Sequence, residues 1–175
     1  MTNQTKKQTK KTVLAAMLTA LSVVLMVATQ IIDVMDLSVS AIASFGVLFA
    51  CIELRGAYPF LIYLTTSLIS LLLLPNKLPA LYYALFFGYY PILKLTFEKF
   101  KAPISYTAKL VCVNVSLFLI AKLSTYFISV SDELIGMSFW LFLLGSGVFI
   151  LFDVALSRIA MSYRRYWKHK LNIKI

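Results

Sequence analysis

Histidine and cysteine are scarce in this sequence, and each shortage excludes a kind of site. The 175 residues include one histidine, His169, so a multi-histidine metal site is excluded. The two cysteines, Cys51 and Cys112, lie in apolar runs without the spacing of metal ligands, and we expect both to be unpaired. With a single histidine in the basic tail, no nucleophile–histidine–acid set can form inside the apolar runs. We therefore predict no catalytic residue, no cofactor and no metal.

Acidic residues are also few, at seven against 17 lysines and arginines, which gives a formal net charge of +10. In a soluble protein this excess would point to nucleic acid, but the sequence contains no nucleic-acid motif. It contains no Walker motif either, so the chain does not itself hydrolyse ATP. The basic residues cluster outside the apolar runs. Membrane orientation and anionic lipid headgroups explain them first, and we expect lipids, not nucleic acid, among the partners.

Hydrophobic residues, in contrast, make up 61% of the chain, whereas a soluble domain is about half apolar. The apolar runs have the length of helices and lack the alternating pattern of an outer-membrane barrel. We predict an all-α integral membrane protein with six transmembrane helices in one compact bundle. The predicted helices cover about Thr12 to Ile32, Leu37 to Leu54, Ala57 to Leu74, Pro79 to Phe97, Ile104 to Ile128 and Leu134 to Arg158.

Three regions follow from this pattern: a basic, disordered arm over residues 1–12, a membrane domain over 13–158 and a basic tail over 159–175. The arm, the loop at 98–103 and the tail carry most of the basic residues, and an even number of helices puts all three on one side. Because basic loops stay in the cytoplasm, we expect a multi-pass protein of the plasma membrane with both termini cytoplasmic.

The stretch from Lys10 to Ile32 is the one around which we expect the chain to be organised. Its run of about 20 apolar residues matches the hydrocarbon thickness of a bilayer. Ala16 and Ala20 lie one turn apart on one face of this helix, and small residues at that spacing let another helix approach closely. Two interpretations stay open: packing against the chain's own helices, or a docking face for a separate protein.

Ionisable residues inside the apolar segments are candidates for function. Asp153 lies at a depth similar to that of Lys94 and Lys109, and a structural ion pair or lysine snorkelling is the interpretation we favour. Lys122, near the outer end of the fifth helix, either snorkels as well or faces an outer cavity and meets an anionic ligand. Position alone does not choose between these two interpretations.

Polar and aromatic residues supply the other candidates. Asn114 is nearer the bilayer centre, where an amide needs a hydrogen-bond partner from another helix or a ligand. Gln30 and Asp33 close the first helix and are candidates for the rim of a binding site, although plain helix-end solvation also explains Asp33. The fourth helix is the most aromatic, and its Gly88 and Pro91 predict a kink or break.

The layout as a whole resembles the substrate-binding S components of energy-coupling factor (ECF) transporters. The chain shares with them a short basic arm, six helices, cytoplasmic termini and a length under 200 residues. The local likeness is the Ala-x-x-x-Ala pattern of Ala16 and Ala20. In that family the motif docks the S component onto a long helical coupling protein, and the resemblance implies the same role here.

The resemblance also implies the ligand, its site and the partners. Family ligands are mostly vitamins, their precursors or metal ions, but this chain lacks the N-terminal histidines of a nickel or cobalt subtype. A site near the outer surface, capped by the loop after the first helix, would be formed by Gln30, Asp33, Asp36, Asn76, Tyr82, Tyr83, Lys122 and Tyr126, with Asn114 as a further candidate. The partners would be a transmembrane coupling subunit and two cytoplasmic ATPases.

Other classes stay open. A membrane scaffold resembling MreD has a similar layout and needs no ligand pocket, and a dry core around Tyr83 and Asn114 would support it. A self-sufficient small permease should show a charged or water-lined path through the centre, which the sequence does not display. A membrane enzyme fits least well, because centrally placed acid–base residues are few.

Overall fold

The computed structural model describes residues 3–31, 35–54, 56–97, 102–128, 138–163 and 165. Regular structure within these ranges is helical, and they contain no strand, which confirms the all-α class for this part of the chain. In chain order the elements are α1 (Asn3–Ala28), α2 (Asp36–Glu53), α3 (Tyr58–Leu73), α4 (Leu78–Tyr82), a π-helical segment (Tyr83–Phe87), α5 (Tyr90–Phe97), α6 (Ala102–Ile128) and α7 (Ser138–Ser162).

Three helical stretches within the described ranges are long and apolar enough to cross a membrane: Gln4–Ala28, Asp36–Glu53 and Leu143–Ser162. The apolar stretches Tyr58–Leu73 and Lys109–Ile120 are shorter. Large apolar side chains cover the outside of the bundle, and many are more than half exposed. Such a surface is costly in water and stable in hydrocarbon, which indicates a membrane protein.

The first helix begins earlier than expected. α1 starts at Asn3, so the prediction of a disordered arm over residues 1–12 is wrong for the residues from 3 onward. Lysine and glutamine, which dominate this segment, have good helix propensity. The hydroxyls of Thr9 and Thr12 donate to the carbonyls four residues back, Thr5 and Gln8, at 2.9 and 3.1 Å. The polar arm is thus an extension of the apolar helix.

The helix at the centre of the fold is α2, not α1 as we expected. It packs against α1, α3, α4, the π-helical segment, α5 and α7. Small side chains make these contacts possible: Ser40, Ala43, Ser44 and Ala50 are all buried, so neighbouring helices come close. α1 lies to one side, against α2 and α3. The composition of the second helix, more than the length of the first, therefore decides which helix is enclosed.

The predicted break in the fourth helix is confirmed. The amide of Gly88 donates to the carbonyl of Tyr83, five residues back, at 2.7 Å, which closes the wider π turn. Pro91, at the start of α5, has no amide hydrogen to donate. A Cβ at Gly88 would lie 2.6 Å from Cδ2 of Tyr63 and 2.9 Å from the carbonyl oxygen of Tyr83. Only a glycine fits here without displacing its neighbours.

The bundle has two ends, which we call the Asn76 end and the Tyr163 end. The Asn76 end contains the segment after α1, the start of α2 and the turn from α3 to α4. The Tyr163 end contains the end of α2 and the end of α7, where the rings of Phe49 and Tyr163 meet edge to face with their centroids 5.1 Å apart. α2 connects one end with the other.

Candidate functional site

A polar network occupies the Asn76 end. We call Gln30, Asp36 and Asn76 the Asn76 network. The side-chain oxygen of Gln30 accepts from the backbone amide of Asn76 at 3.1 Å, and the Asn76 side-chain amide donates to Asp36 Oδ2 at 3.2 Å. The Asn76 side-chain oxygen in turn accepts from the amide of Leu78 at 3.0 Å. One asparagine therefore connects the segment after α1, the start of α2 and the turn before α4.

Neighbouring polar groups hold this turn in place. The hydroxyl of Ser40 donates to the carbonyls of Asp36 and Pro79, at 2.6 and 3.0 Å. Lys77 donates to the carbonyls of Leu71 and Leu74 at the end of α3, at 2.7 and 2.5 Å. These bonds satisfy carbonyls that a helix end leaves without an intrahelical donor. The Asn76 end is thus a pre-formed polar surface on an otherwise apolar bundle.

Three of the residues that the resemblance places at the site, Gln30, Asp36 and Asn76, lie together in this network. Tyr82 is half-buried and close enough to Asp36 to be influenced by its carboxylate. Tyr83 is fully buried, with its ring centroid 6.4 Å from that of Tyr63. Tyr83 therefore belongs to the packed interior and not to the surface of the Asn76 end.

Other predicted residues are not brought to this network. Asn114 is exposed on α6, and its amide donates to the carbonyl of Leu110 in its own helix at 2.8 Å. Of the two partners expected for Asn114, another helix or a ligand, this bond supplies neither, because it stays within α6; a ligand stays a prediction. Lys122 is also exposed, with Nζ 6.0 Å from the ring centroid of Phe118. Asp33 and the side chain of Tyr126 lie outside the described residues.

The predicted docking residues face away from the bundle. Ala16 and Ala20 are exposed, whereas Ser22, Met26 and Thr29 form the buried face of the same helix. Within the described residues the two alanines lie outside the buried face of α1, which gives no support to the first interpretation, packing against the chain's own helices. Their face is open to lipid or to another protein, and docking stays a prediction.

A buried charge cluster joins α5, α6 and α7. Asp153 Oδ1 accepts from Lys94 at 2.5 Å, and both carboxylate oxygens lie 3.4 Å from Nζ of Lys109. Lys94 is 3% exposed and Lys109 is 6% exposed. Lys94 also donates to the hydroxyl of Ser157 at 2.7 Å, and Tyr90 donates to Asp153 at 2.5 Å. The structural ion pair that we favoured is confirmed, and snorkelling is wrong for both lysines.

Two members of this cluster escaped the sequence analysis. Tyr90 precedes Lys94 by four residues, and Ser157 follows Asp153 by four. Residues four apart lie on the same face of a helix. A polar residue at that spacing from an intramembrane charge is therefore a signal that we did not use.

A further polar contact supports the π-helical segment. Because the amide of Gly88 bonds five residues back, the carbonyl of Ala84 loses its usual donor, and the hydroxyl of Tyr63 donates to it at 2.9 Å. Tyr63 thus ties α3 to the most irregular part of the bundle. π-Helical turns are frequent at functional sites, so the contact between α3 and this segment is a candidate part of a functional site.

A cavity of about 260 Å³ lies at the Tyr163 end, lined by Arg158, Ile159, Ser162 and Tyr163. Burial raises the pKa of Tyr163, and the nearby carboxylate of Glu53 raises it further. The cavity is open and lies at the opposite end from the Asn76 network. Within the described ranges, no group of three or more histidine, cysteine, aspartate or glutamate side chains could hold a metal ion.

Together these features define a helical protein with membrane-length apolar helices, a polar network at one end and a buried charge cluster between three helices. No protein-family model, no curated protein and no solved structure matches the chain.

Proposed function

We propose that this protein is the membrane-embedded substrate-binding subunit of an ECF-type uptake transporter. The observation that carries the proposal is the outward orientation of Ala16 and Ala20 on a helix whose opposite face is buried. A small-residue face that the bundle does not use leaves room for a second helix to pack closely. Packing through this small-residue face needs few polar bonds, so docking on a coupling subunit would be reversible.

The same helix leads directly to the polar end. Gln30, which follows α1, bonds to Asn76 and through it reaches Asp36. A binding site for a vitamin or a similar small metabolite at this end would use these groups together with Tyr82. α1 would then connect the ligand site with the docking face, as a subunit that reports its loading to a partner requires.

The distribution of charge supports six membrane crossings with both termini in the cytoplasm. The lysines at the start of α1 lie at one end of the bundle, as do Arg158 in the last turns of α7 and Arg165 after that helix. Basic residues favour the cytoplasmic side of the plasma membrane. The Asn76 network would then face outward, with the coupling subunit in the membrane beside α1 and the two ATPases in the cytoplasm.

The test is purification of the protein from its native membrane in mild detergent, with identification of what comes with it. A coupling protein, ATPases and a bound metabolite are the expected result. The double variant A16L/A20L should lose the coupling protein and keep the fold. The matched variant A16S/A20S, which keeps the face small, should retain it. Undiminished co-purification with A16L/A20L would remove the docking role.

A second function, a scaffold resembling MreD, is favoured by the burial of Tyr83. This residue was expected to touch a ligand, yet it is fully enclosed next to Tyr63 and Gly88. A scaffold needs no ligand pocket, and a dry core around Tyr83 and Asn114 was expected to support it; Tyr83 fits this expectation and the exposed Asn114 does not. Cell-wall or division proteins in the same purification, without a small molecule, would establish this second function.

A further inference from the structure

One buried face of α3 is lined by hydroxyl groups. Ser70 follows Thr66 by four residues and Ser67 by three, so it shares one side of the helix with each of them. Thr66 and Ser70 have no exposed surface, and Ser67 is 6% exposed. α3 packs here against α1, α2, α4 and the π-helical segment. These hydroxyls therefore lie inside the bundle and not toward lipid.

These hydroxyls lack the hydrogen bonds that their burial demands. Within the described residues, the oxygens of Thr66, Ser67 and Ser70 have no partner, and neither does the hydroxyl of Tyr83. Thr66 lies close enough to Tyr83 to interact with its hydroxyl, but the two do not complete a bond of normal geometry. We call these four residues the α3 hydroxyl cluster.

Other hydroxyls in the bundle behave differently. Ser44 on α2 is as buried as Ser70, and it donates to the carbonyl of Ala41 at 2.6 Å. Thr65, the immediate neighbour of Thr66 on the outer face of α3, donates to the carbonyl of Leu61. Bonding to the preceding turn is the usual solution for serine and threonine in helices. Alanine would give close packing without unsatisfied oxygens, so packing alone does not explain the cluster.

The cluster lies close to the Asn76 network. Ser70 is in the last turn of α3, and the turn that carries Asn76 follows directly. Thr66 is one helical turn deeper, next to Tyr83, whose ring faces that of Tyr63. The turn between α3 and α4 therefore lies between the Asn76 end and the cluster, and a molecule that enters from this end would have to displace it. The side chain of Asn76 helps to hold that turn through its bonds to Asp36 and to the amide of Leu78, together with the bonds of Ser40 and Lys77 described above.

We propose that the α3 hydroxyl cluster binds a small uncharged molecule that carries hydroxyl or carbonyl groups, and that opening of the Asn76 network admits it. Such a molecule supplies both donors and acceptors to the four hydroxyls, which then gain the partners they lack. Burial in a low-dielectric interior opposes a charged ligand, because hydroxyls alone do not neutralise it. The rings of Tyr63 and Tyr83 offer an apolar wall for the rest of the molecule. This inference rests on the proposed substrate-binding role, and not on docking.

Cysteine substitution tests whether polar solutes reach the cluster. In a background where Cys51 and Cys112 are replaced by alanine, Ser67→Cys and Ser70→Cys are compared with Ser44→Cys. All three serines are buried and receive the same small change. The probe is iodoacetamide, which is small and uncharged and reacts with the thiolate that forms in contact with water. We expect the two cluster positions to be alkylated at least about tenfold faster than position 44.

The opening step has its own control. Adding Asn76→Ala, which removes both side-chain bonds of Asn76, should raise alkylation at Ser67→Cys and Ser70→Cys and leave Ser44→Cys unchanged. Equal and slow alkylation at all three positions, with or without Asn76→Ala, would overturn the proposal. Gel filtration confirms that each variant is folded before labelling. The labelling needs no coupling subunit, so its result stays distinct from the co-purification test of the proposed function.

Discussion

Asp153 on α7 and Lys94 on α5 form an ion pair with 2.5 Å between Oδ1 and Nζ, inside a bundle whose outer surface is apolar. Their side chains are 15% and 4% exposed, so water does little to screen either charge. Lys109 on α6 approaches the same carboxylate. One acidic residue therefore holds three helices together, and its loss would leave two buried ammonium groups without this carboxylate.

We expect Asp153→Asn to be among the most damaging single changes in the chain. Breaking a buried pair by removing one partner costs about 3–5 kcal/mol, because the remaining charge stays desolvated. The midpoint of thermal unfolding in detergent measures the loss. Combining Asp153→Asn with Lys94→Met should cost less than the sum of the two single changes. Additive losses would show that the pair contributes no coupling energy.

Gly88→Ala should destabilise the bundle by about 2 kcal/mol through overpacking. The added Cβ would meet Tyr63 at 2.6 Å and the backbone of Tyr83 at 2.9 Å, and backbone does not move aside cheaply. Gly147→Ala on α7 is the matched control, because a Cβ there meets nothing within 4 Å. We expect that control to be neutral or slightly stabilising. Equal thermal midpoints for the two variants would contradict the close contact.

Tyr63→Phe should loosen the π-helical segment. The change deletes the hydroxyl that donates to the carbonyl of Ala84 and leaves a partly buried acceptor unsatisfied, at a cost of about 1 kcal/mol. Hydrogen exchange of the amides from 84 to 90 is the direct measurement, and it should accelerate. Thr65→Val on the exposed face of the same helix should leave that exchange unchanged. Exchange as slow in Tyr63→Phe as in the native protein would mean that the segment holds its shape without this bond.

Asn76→Asp should make stability depend on pH. The introduced carboxyl would replace the side-chain amide of Asn76, whose nitrogen lies 3.2 Å from Oδ2 of Asp36. The two carboxyl groups would therefore face each other. Repulsion raises the pKa of the introduced carboxyl in the folded state above its unfolded value of about 4. Stability is then kept at low pH and lost as the pH rises through the folded-state pKa.

The midpoint of thermal unfolding is measured for Asn76→Asp and for the native protein at pH 4 and at pH 7. The variant's midpoint should lie further below the native one at pH 7 than at pH 4. Asn76→Ala removes the bond to Asp36, and the bond from Leu78 as well, without adding a charge, so its loss should be similar at both pH values. A pH-independent loss in Asn76→Asp would show that the two side chains are farther apart in solution.

The helices themselves followed from the pattern of apolar residues, with ends mostly within a few residues of the prediction. The break at Gly88 and Pro91 was also predictable, because both residues disfavour a continuous helix there. The first helix was predicted too short. Its polar start shows no hydrophobic period, and helix propensity alone gave too weak a signal to extend it to Asn3.

The candidate site was predicted less well. Gln30 was predicted because it closes the first helix, and Asn76 was implied by the resemblance, although the two are 46 positions apart in the chain. Tyr83 was implied by the resemblance and Asn114 was chosen for its residue type and depth, and none of these states which way a side chain points. Tyr83 turned out to be enclosed and Asn114 to face outward, because the rotation of each helix is set by its neighbours.

By itself the sequence determined that the described chain is helical, that several helices are apolar over a membrane's thickness, and that its few acidic residues are separated from most of its basic ones. Composition and period are local properties, and a single chain displays them directly. The tertiary structure decided that α2 is central, that Ala16 and Ala20 are unused by the bundle, and that one carboxylate serves two lysines. These depend on how helices distant in sequence rotate and pack together, because each buried face is defined only by the helix that covers it.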